Sequence, residues 1–142
     1  MTERNGSAEW RGDVQNGSGT LTVGPGVFEG QYSFASRFGE GTGTNPEQLL
    51  AAAHAACFSM ALSNILSQAG HVPDSVRTTA RVDLRNIDGA PTLSAIRLVT
   101  EGQVPGIDQD QFTEFAEQAK AGCPVSRALA GVPEITLEAK LV

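Results

Sequence analysis

A chain of 142 residues suits one domain with one core and is too short for two ordinary ones. A formal charge of −6, with the ten basic residues scattered, excludes a surface built to neutralise nucleic-acid phosphates. The first eight residues include Glu3, Arg4 and Asn5 and form no apolar run, so neither a secretory leader nor a lipidation pattern is expected; the protein is expected to stay in the cytoplasm where it is made.

Taken in chain order, Ala8 to Val14 and Ser18 to Val23 flank Asn16-Gly17, the pair that a type I′ turn prefers, which predicts an opening β-hairpin. A third strand is predicted over Val27 to Phe34, and Gly39 to Gly43 then breaks the pattern into a loop. Asn45 caps a predicted helix, Pro46 suits its first position, and Glu47 complements the positive end of its dipole. Gly70 and Pro73 stop it after roughly 36 Å. Its longest apolar run, Leu49 to Leu62, includes His54 and Ser59 and falls short of the roughly 18 residues that span a membrane, so it reads as a buried core helix.

Val76, Thr78, Ala80, Val82 and Leu84 alternate with Arg77, Thr79, Arg81, Asp83 and Arg85, as in a strand with one wet face. A turn within Asn86 to Pro91 leads to an antiparallel partner over Thr92 to Glu101. Phe112, Phe115, Ala116 and Ala119 mark a helix opened by Asp108 and closed by Gly122, and a shorter helix follows from Pro124 to Ala130. Alternation from Glu134 to Val142 predicts a last strand. The order βββαββααβ predicts an α+β fold, antiparallel sheets around a long buried central helix, in a single domain covering 1–142.

Two cysteines and two histidines are the candidates for chemistry. Cys57, mid-helix, is by itself most simply a small hydrophobe. Cys123, in Gly122-Cys123-Pro124, stands at a helix start, where free N–H groups favour a thiolate. The residues alone leave open a redox pair and two inert thiols. His54, three positions before Cys57, could pair with it as a nucleophile, but no orienting group or oxyanion hole is identifiable, and a packed or hydrogen-bonded ring is preferred. With His71 the set lacks the spacing of a zinc site. Phe38, Phe58, Met60 and Phe115 are core candidates, some of which could line an apolar pocket. Arg77, Arg81 and Arg85 read as a solvated face.

Longer segments are more specific. Ser36-Arg37-Phe38, Gly43-Thr44-Asn45-Pro46-Glu47-Gln48-Leu49, His54-Ala55-Ala56-Cys57-Phe58-Ser59-Met60 and Lys120-Ala121-Gly122-Cys123-Pro124-Val125-Ser126 together closely resemble the OsmC/Ohr family of hydroperoxide-reducing proteins. The opening Ala8-Glu9-Trp10-Arg11-Gly12, the segment Val104 to Asp108 and the place of the arginine, just before Asn45-Pro46-Glu47, resemble the osmotically inducible (OsmC) branch. The resemblance implies a stress-related peroxidase that reduces organic hydroperoxides, and hydrogen peroxide more weakly, without cofactor or metal. It implies Cys57 as peroxidatic and Cys123 as resolving cysteine, with Arg37 and Glu47 beside the first. It also implies an intertwined homodimer and a dithiol or lipoyl-type reductant, with no nucleic acid or membrane as partner.

In that scheme the Arg37 guanidinium stabilises the thiolate and offers donors to the peroxide, and Glu47 aims it through a fork-to-fork hydrogen bond. Attack releases an alcohol and leaves a Cys57 sulfenic acid, which condenses with Cys123 to a disulfide that an external dithiol reopens. Glu47 and Cys57 are ten positions apart, about 15 Å along an unbroken helix, so either the helix breaks near its start or Arg37 and Glu47 serve the partner's Cys57, the arrangement expected here. A thioredoxin-fold peroxiredoxin is a poor match because His54 stands where its Pro-x-x-x-Thr-x-x-Cys pattern needs Thr. A slow redox sensor or ligand-binding stress protein would use the same two cysteines, and a structural stress protein would leave them inert.

Overall fold

Residues 1–142 are all described in the computed structural model, and the long elements follow the expected order. The chain groups into two compact units, Met1–Leu49 and Leu50–Val142.

In the first unit β1 (Gly6–Arg11), β2 (Ser18–Val23) and β3 (Phe28–Tyr32) form an antiparallel sheet in the order β1-β2-β3. The opening hairpin is present, but its turn is not type I′. Arg11 pairs with Ser18, and neither Asn16 nor Gly17 has a positive φ. Asp13 organises the connection instead: its carboxylate accepts from the N–H groups of Gln15 and Asn16, each at 2.9 Å, and its carbonyl accepts from Gly17. An Asx-type turn thereby supplies locally the bonds that a two-residue turn would have supplied. A four-residue turn, α1 (Gly24–Val27), joins β2 to β3, with Pro25 (φ −66°, ψ 117°) and Gly26 (φ 70°, ψ 9°) outside helical geometry.

The third strand is shorter than expected. Phe34, read as its end, opens a five-residue helix, α2 (Phe34–Phe38), because Ser33 and Ser36 form a reciprocal capping box. Ser36 also donates to the Thr44 carbonyl at 2.8 Å, which folds the Gly-rich loop back beneath that helix. Leu21 alone among the apolar side chains of this unit is buried.

The long helix α3 (Pro46–Gln68) starts as its sequence dictates, with Asn45 accepting from the Gln48 N–H at 2.8 Å. It stops at Gly70, whose φ of +89° lets the chain turn back while the His71 N–H bonds the Leu66 carbonyl. Phe58, Leu62 and Leu66 recur every four residues and are fully buried. They meet Ile96 and Leu98 of β5 (Ala90–Gln103) and Phe112, Ala116 and Ala119 of α4 (Gln109–Gly122) in one core. Each Phe, Leu or Ile among them contributes about 1.5–3 kcal/mol on removal from water, before conformational entropy is counted. Gly102 permits the closest approach in this core, since a Cβ there would stand 2.4 Å from the Phe112 ring.

The expectation of a helix enclosed on every side is corrected within the single chain. Ala52, Ala53, Ala56 and Met60, the last 76% exposed, form an uncovered apolar stripe. The helix as a whole has an 18-residue window of mean hydropathy 1.6, a value that a core helix reaches as readily as a membrane span.

β4 (Ser75–Ile87) and β5 form the predicted antiparallel pair, closed by Asp88-Gly89 with φ of 51° and 84°, the two positive angles a type I′ turn requires. Asp108 caps α4 as expected, and α5 (Pro124–Ala128) follows it. The last strand, β6 (Glu134–Leu141), differs in direction. It pairs with β5 in parallel, because α4 and α5 carry the chain back across the sheet before it begins. The Gln109 side chain ties α4 to this strand through the Ala139 carbonyl and the Leu141 N–H.

Candidate active site

The two cysteines meet. Cys57, on α3 one position before buried Phe58, is partly exposed, whereas Cys123, at the joint between α4 and α5, is completely buried. Their sulfurs lie 2.9 Å apart as free thiols. The joint sets this geometry: the Cys123 N–H ends α4 on the Ala119 carbonyl, and Pro124 starts α5 without needing a donor partner.

The environments of the two sulfurs differ. Burial and the contact with Cys123 push the Cys57 thiol above its ordinary range, which only the Val125 N–H opposes. Burial acts on Cys123 in the same sense. There, however, the bond with Cys57, the N–H and hydroxyl of Ser126 and the Val125 N–H outweigh it and hold the thiol below its ordinary range.

His54 is fully buried, and its Nε2 stands 2.6 Å from Ser126 Oγ, as the preferred reading of a hydrogen-bonded ring anticipates. Burial pushes its pKa below the usual imidazole value. His71 lies apart from the thiols, its ring 6.3 Å from that of Phe115. Of the proposed pocket residues, Phe58 is core and Met60 is on the exposed stripe.

Arg37 and Glu47 form a second cluster. Arg37 projects from α2, and its Nε and Nη2 donate at 3.2 and 2.9 Å to Oε1 of Glu47 in the first turn of α3. Asn45 braces the pair, accepting from Gln48 while its Nδ2 donates to the Ser36 carbonyl at 2.9 Å. The expected fork-to-fork arrangement is not adopted: both donors converge on one oxygen, and the buried Oε2 has no partner. The guanidinium also lies 5.3 Å from the Phe38 ring centroid. It borders a cavity of about 160 Å³ whose wall includes Trp10, Tyr32, Phe34 and Phe38. Trp10, Tyr32 and Phe34 were not legible as pocket residues. Phe34 carried the only available signal, an aromatic three positions before Arg37.

The chain as a whole has counterparts among known proteins. The sequence profile of the OsmC-like protein family matches residues 39–138. The chain belongs to the OsmC-like family. It is 48% identical over 139 residues to the Peroxiredoxin OsmC of Escherichia coli (strain K12), covering 97% of this chain and 96% of that protein. The Organic hydroperoxide resistance protein OhrB of Bacillus subtilis (strain 168) is 32% identical over 126 residues, 87% of this chain and 90% of its own. The crystal structure of OhrB from Bacillus subtilis superposes with a TM-score of 0.73 at 27% identity, over 97% of this chain and 98% of that one. The chain therefore has the OsmC-like α+β fold, and membership of a family that includes a peroxiredoxin and organic hydroperoxide resistance proteins supports a peroxidase-type function.

Proposed function

We propose that the protein reduces organic hydroperoxides to alcohols, and hydrogen peroxide more slowly, by a two-cysteine cycle. The observation that carries this reading is the contact of one partly exposed sulfur, Cys57, with one fully buried sulfur, Cys123, at 2.9 Å. A peroxide reaches only the exposed sulfur, so Cys57 attacks the O–O bond, the alcohol leaves, and Cys57 becomes a sulfenic acid. Cys123 then attacks that sulfur, water leaves, and a disulfide protects Cys57 from further oxidation. A dithiol or lipoyl-type reductant reopens the disulfide by exchange.

Cys57 needs a cation that its own surroundings do not supply. Arg37 is the candidate, aimed by Glu47 and set beside an aromatic-walled cavity that favours an alkyl or aryl group over hydrogen peroxide. Ten residues of continuous helix, about 15 Å of axis, separate Glu47 from Cys57 in one chain. The Arg37 and Glu47 that serve one Cys57 therefore come from a second subunit in an intertwined homodimer. The uncovered stripe Ala52, Ala53, Ala56 and Met60 gives that subunit an apolar surface to cover. Such a dimer, with the stripe closed, acts in the cytoplasm as one OsmC-like domain per chain, without a metal or cofactor.

The test is dithiol-coupled turnover of cumene hydroperoxide and of hydrogen peroxide by wild type, Cys57→Ser and Cys123→Ser, with thiols counted afterwards. Wild type should lose both thiols under excess peroxide and prefer the organic substrate, and Cys57→Ser should fall to the uncatalysed background. Full activity in Cys57→Ser, or two intact wild-type thiols under excess peroxide, rejects the cycle. A single stoichiometric oxidation without turnover makes the protein a sensor.

A further inference from the structure

His54 and Ser126 take no part in the cycle as described, yet they form a buried polar connection beside it. The ring of His54 is fully buried, its Nε2 lies 2.6 Å from Ser126 Oγ, and its Nδ1 has no partner at all. An imidazolium would leave a charged N–H unpaired at Nδ1, so the ring is neutral. If Nε2 carries its proton, the ring donates to Ser126, and the one hydroxyl proton of Ser126 is free to point elsewhere.

Cys123 is the N-cap of α5 and Ser126 its third residue, so the two side chains share the first turn of that helix, with no side-chain bond between them in the reduced thiol; the Ser126 hydroxyl and N–H are also among the groups that favour the Cys123 thiolate. An apolar side chain at 54 would avoid the cost of burying a nitrogen without a partner, on the order of 1–3 kcal/mol. A polar ring retained there calls for a task.

We propose that His54 and Ser126 are positioning residues for the resolving thiol: His54 Nε2–H donates to Ser126 Oγ, and the hydroxyl so oriented donates to the Cys123 thiolate that attacks the Cys57 sulfenic acid. The inference rests on the resolving role assigned to Cys123 above. In the step concerned, the Cys123 thiolate supplies the electron pair of the new S–S bond while the S–O bond of the Cys57 sulfenic acid breaks. The departing hydroxide takes up the proton that Cys123 released on ionising and leaves as water. Cys123 is oxidised and the Cys57 sulfenic sulfur is reduced, so no further oxidant is needed. Ser126 and His54 keep their protons throughout; they fix where the thiolate forms and how it points.

The test treats reduced full-length protein with one equivalent of cumene hydroperoxide and follows two products, the disulfide and the Cys57 sulfenic acid trapped by dimedone. Ser126→Ala should slow disulfide formation by about tenfold, the size of one hydrogen bond to a charged group, and should raise the trapped sulfenic acid accordingly. His54→Leu should slow the same step, and His54→Gln, which returns a donor near Nε2, should recover most of the loss. A generally loosened core would not be rescued in this way, nor would it shift product from disulfide to trapped sulfenic acid. Wild-type disulfide kinetics in Ser126→Ala, or equal slowing in His54→Leu and His54→Gln, overturns the inference and leaves the two-cysteine cycle standing. If the wild type itself forms no Cys57–Cys123 disulfide, both fall together.

Discussion

The thiol pair and the ion pair are built to opposite specifications. Cys57 and Cys123 touch in an apolar core with no cation among the groups that set their ionisation, and burial pushes the accessible thiol the wrong way for a nucleophile. Arg37 and Glu47 hold a permanent charge beside an aromatic cavity, but that cavity has no thiol in its wall. Each lacks what the other has. A thiolate generated beside its cation needs both, and the difference between the clusters says where activity should break.

The largest effect should come from removing the charge and keeping the bulk. Arg37→Met should lower kcat/KM for cumene hydroperoxide on the order of 100-fold, as loss of one preorganised electrostatic contact does. Because burial raises the Cys57 pKa, its reactive thiolate is the minority form at neutral pH and grows as pH rises. Losing the cation should move the midpoint of Cys57 alkylation by iodoacetamide to still higher pH. An unchanged midpoint would mean that Cys57 is activated by something other than Arg37.

Glu47→Gln should act more mildly. The guanidinium remains, and an amide oxygen still accepts from it, but the charge assistance is lost, so kcat/KM should fall about tenfold. A loss as large as that of Arg37→Met would give the carboxylate a direct part in the chemistry, and its unpartnered Oε2 would be the atom to suspect.

How much of this contrast can be read without coordinates depends on how local its causes are. The start of α3 is legible because Asn45, Pro46 and Glu47 act within one turn. Asn16-Gly17 and Asp88-Gly89 carry similar turn chemistry, yet only the second makes the two-residue turn. At the first, Asp13 offers side-chain bonds that sequence spacing does not weigh against it. The direction of β6 depends on how two helices cross a sheet, which alternation in Glu134–Leu141 cannot encode. Cys57 is legible only through resemblance, since on its own a cysteine in an apolar helix looks inert, whereas Cys123 stands out locally at a helix start. Ser126 is not legible as a partner for His54 because the two are 72 positions apart.

Mixing two inactive proteins should show directly whether the clusters belong to different subunits. In a dimer of Cys57→Ser with Arg37→Met, a site assembled across subunits is intact once, whereas a site within one subunit is never intact. Random exchange makes half the dimers mixed, so activity should return to about a quarter of wild type per site. No recovery, with subunit exchange verified by mass, would place all four residues in one chain.

The smallest effect should come from Asn45, which touches neither thiol. Its Oδ1 caps α3 and its Nδ2 holds the Ser36 carbonyl, so one side chain ties the helix that carries Arg37 to the helix start that carries Glu47. Asn45→Ala removes both bonds and should cost about 1 kcal/mol of stability, the usual worth of an N-cap. Asn45→Asp keeps the acceptor and, at a positive helix end, should recover most of that stability in a thermal melt. It cannot restore the donor to Ser36, however, so any loss of peroxidase activity that follows from a loosened ion pair should persist. Stability recovering while activity does not would separate the brace from the cap. The two recovering together would mean that capping α3 is all that the ion pair requires of Asn45.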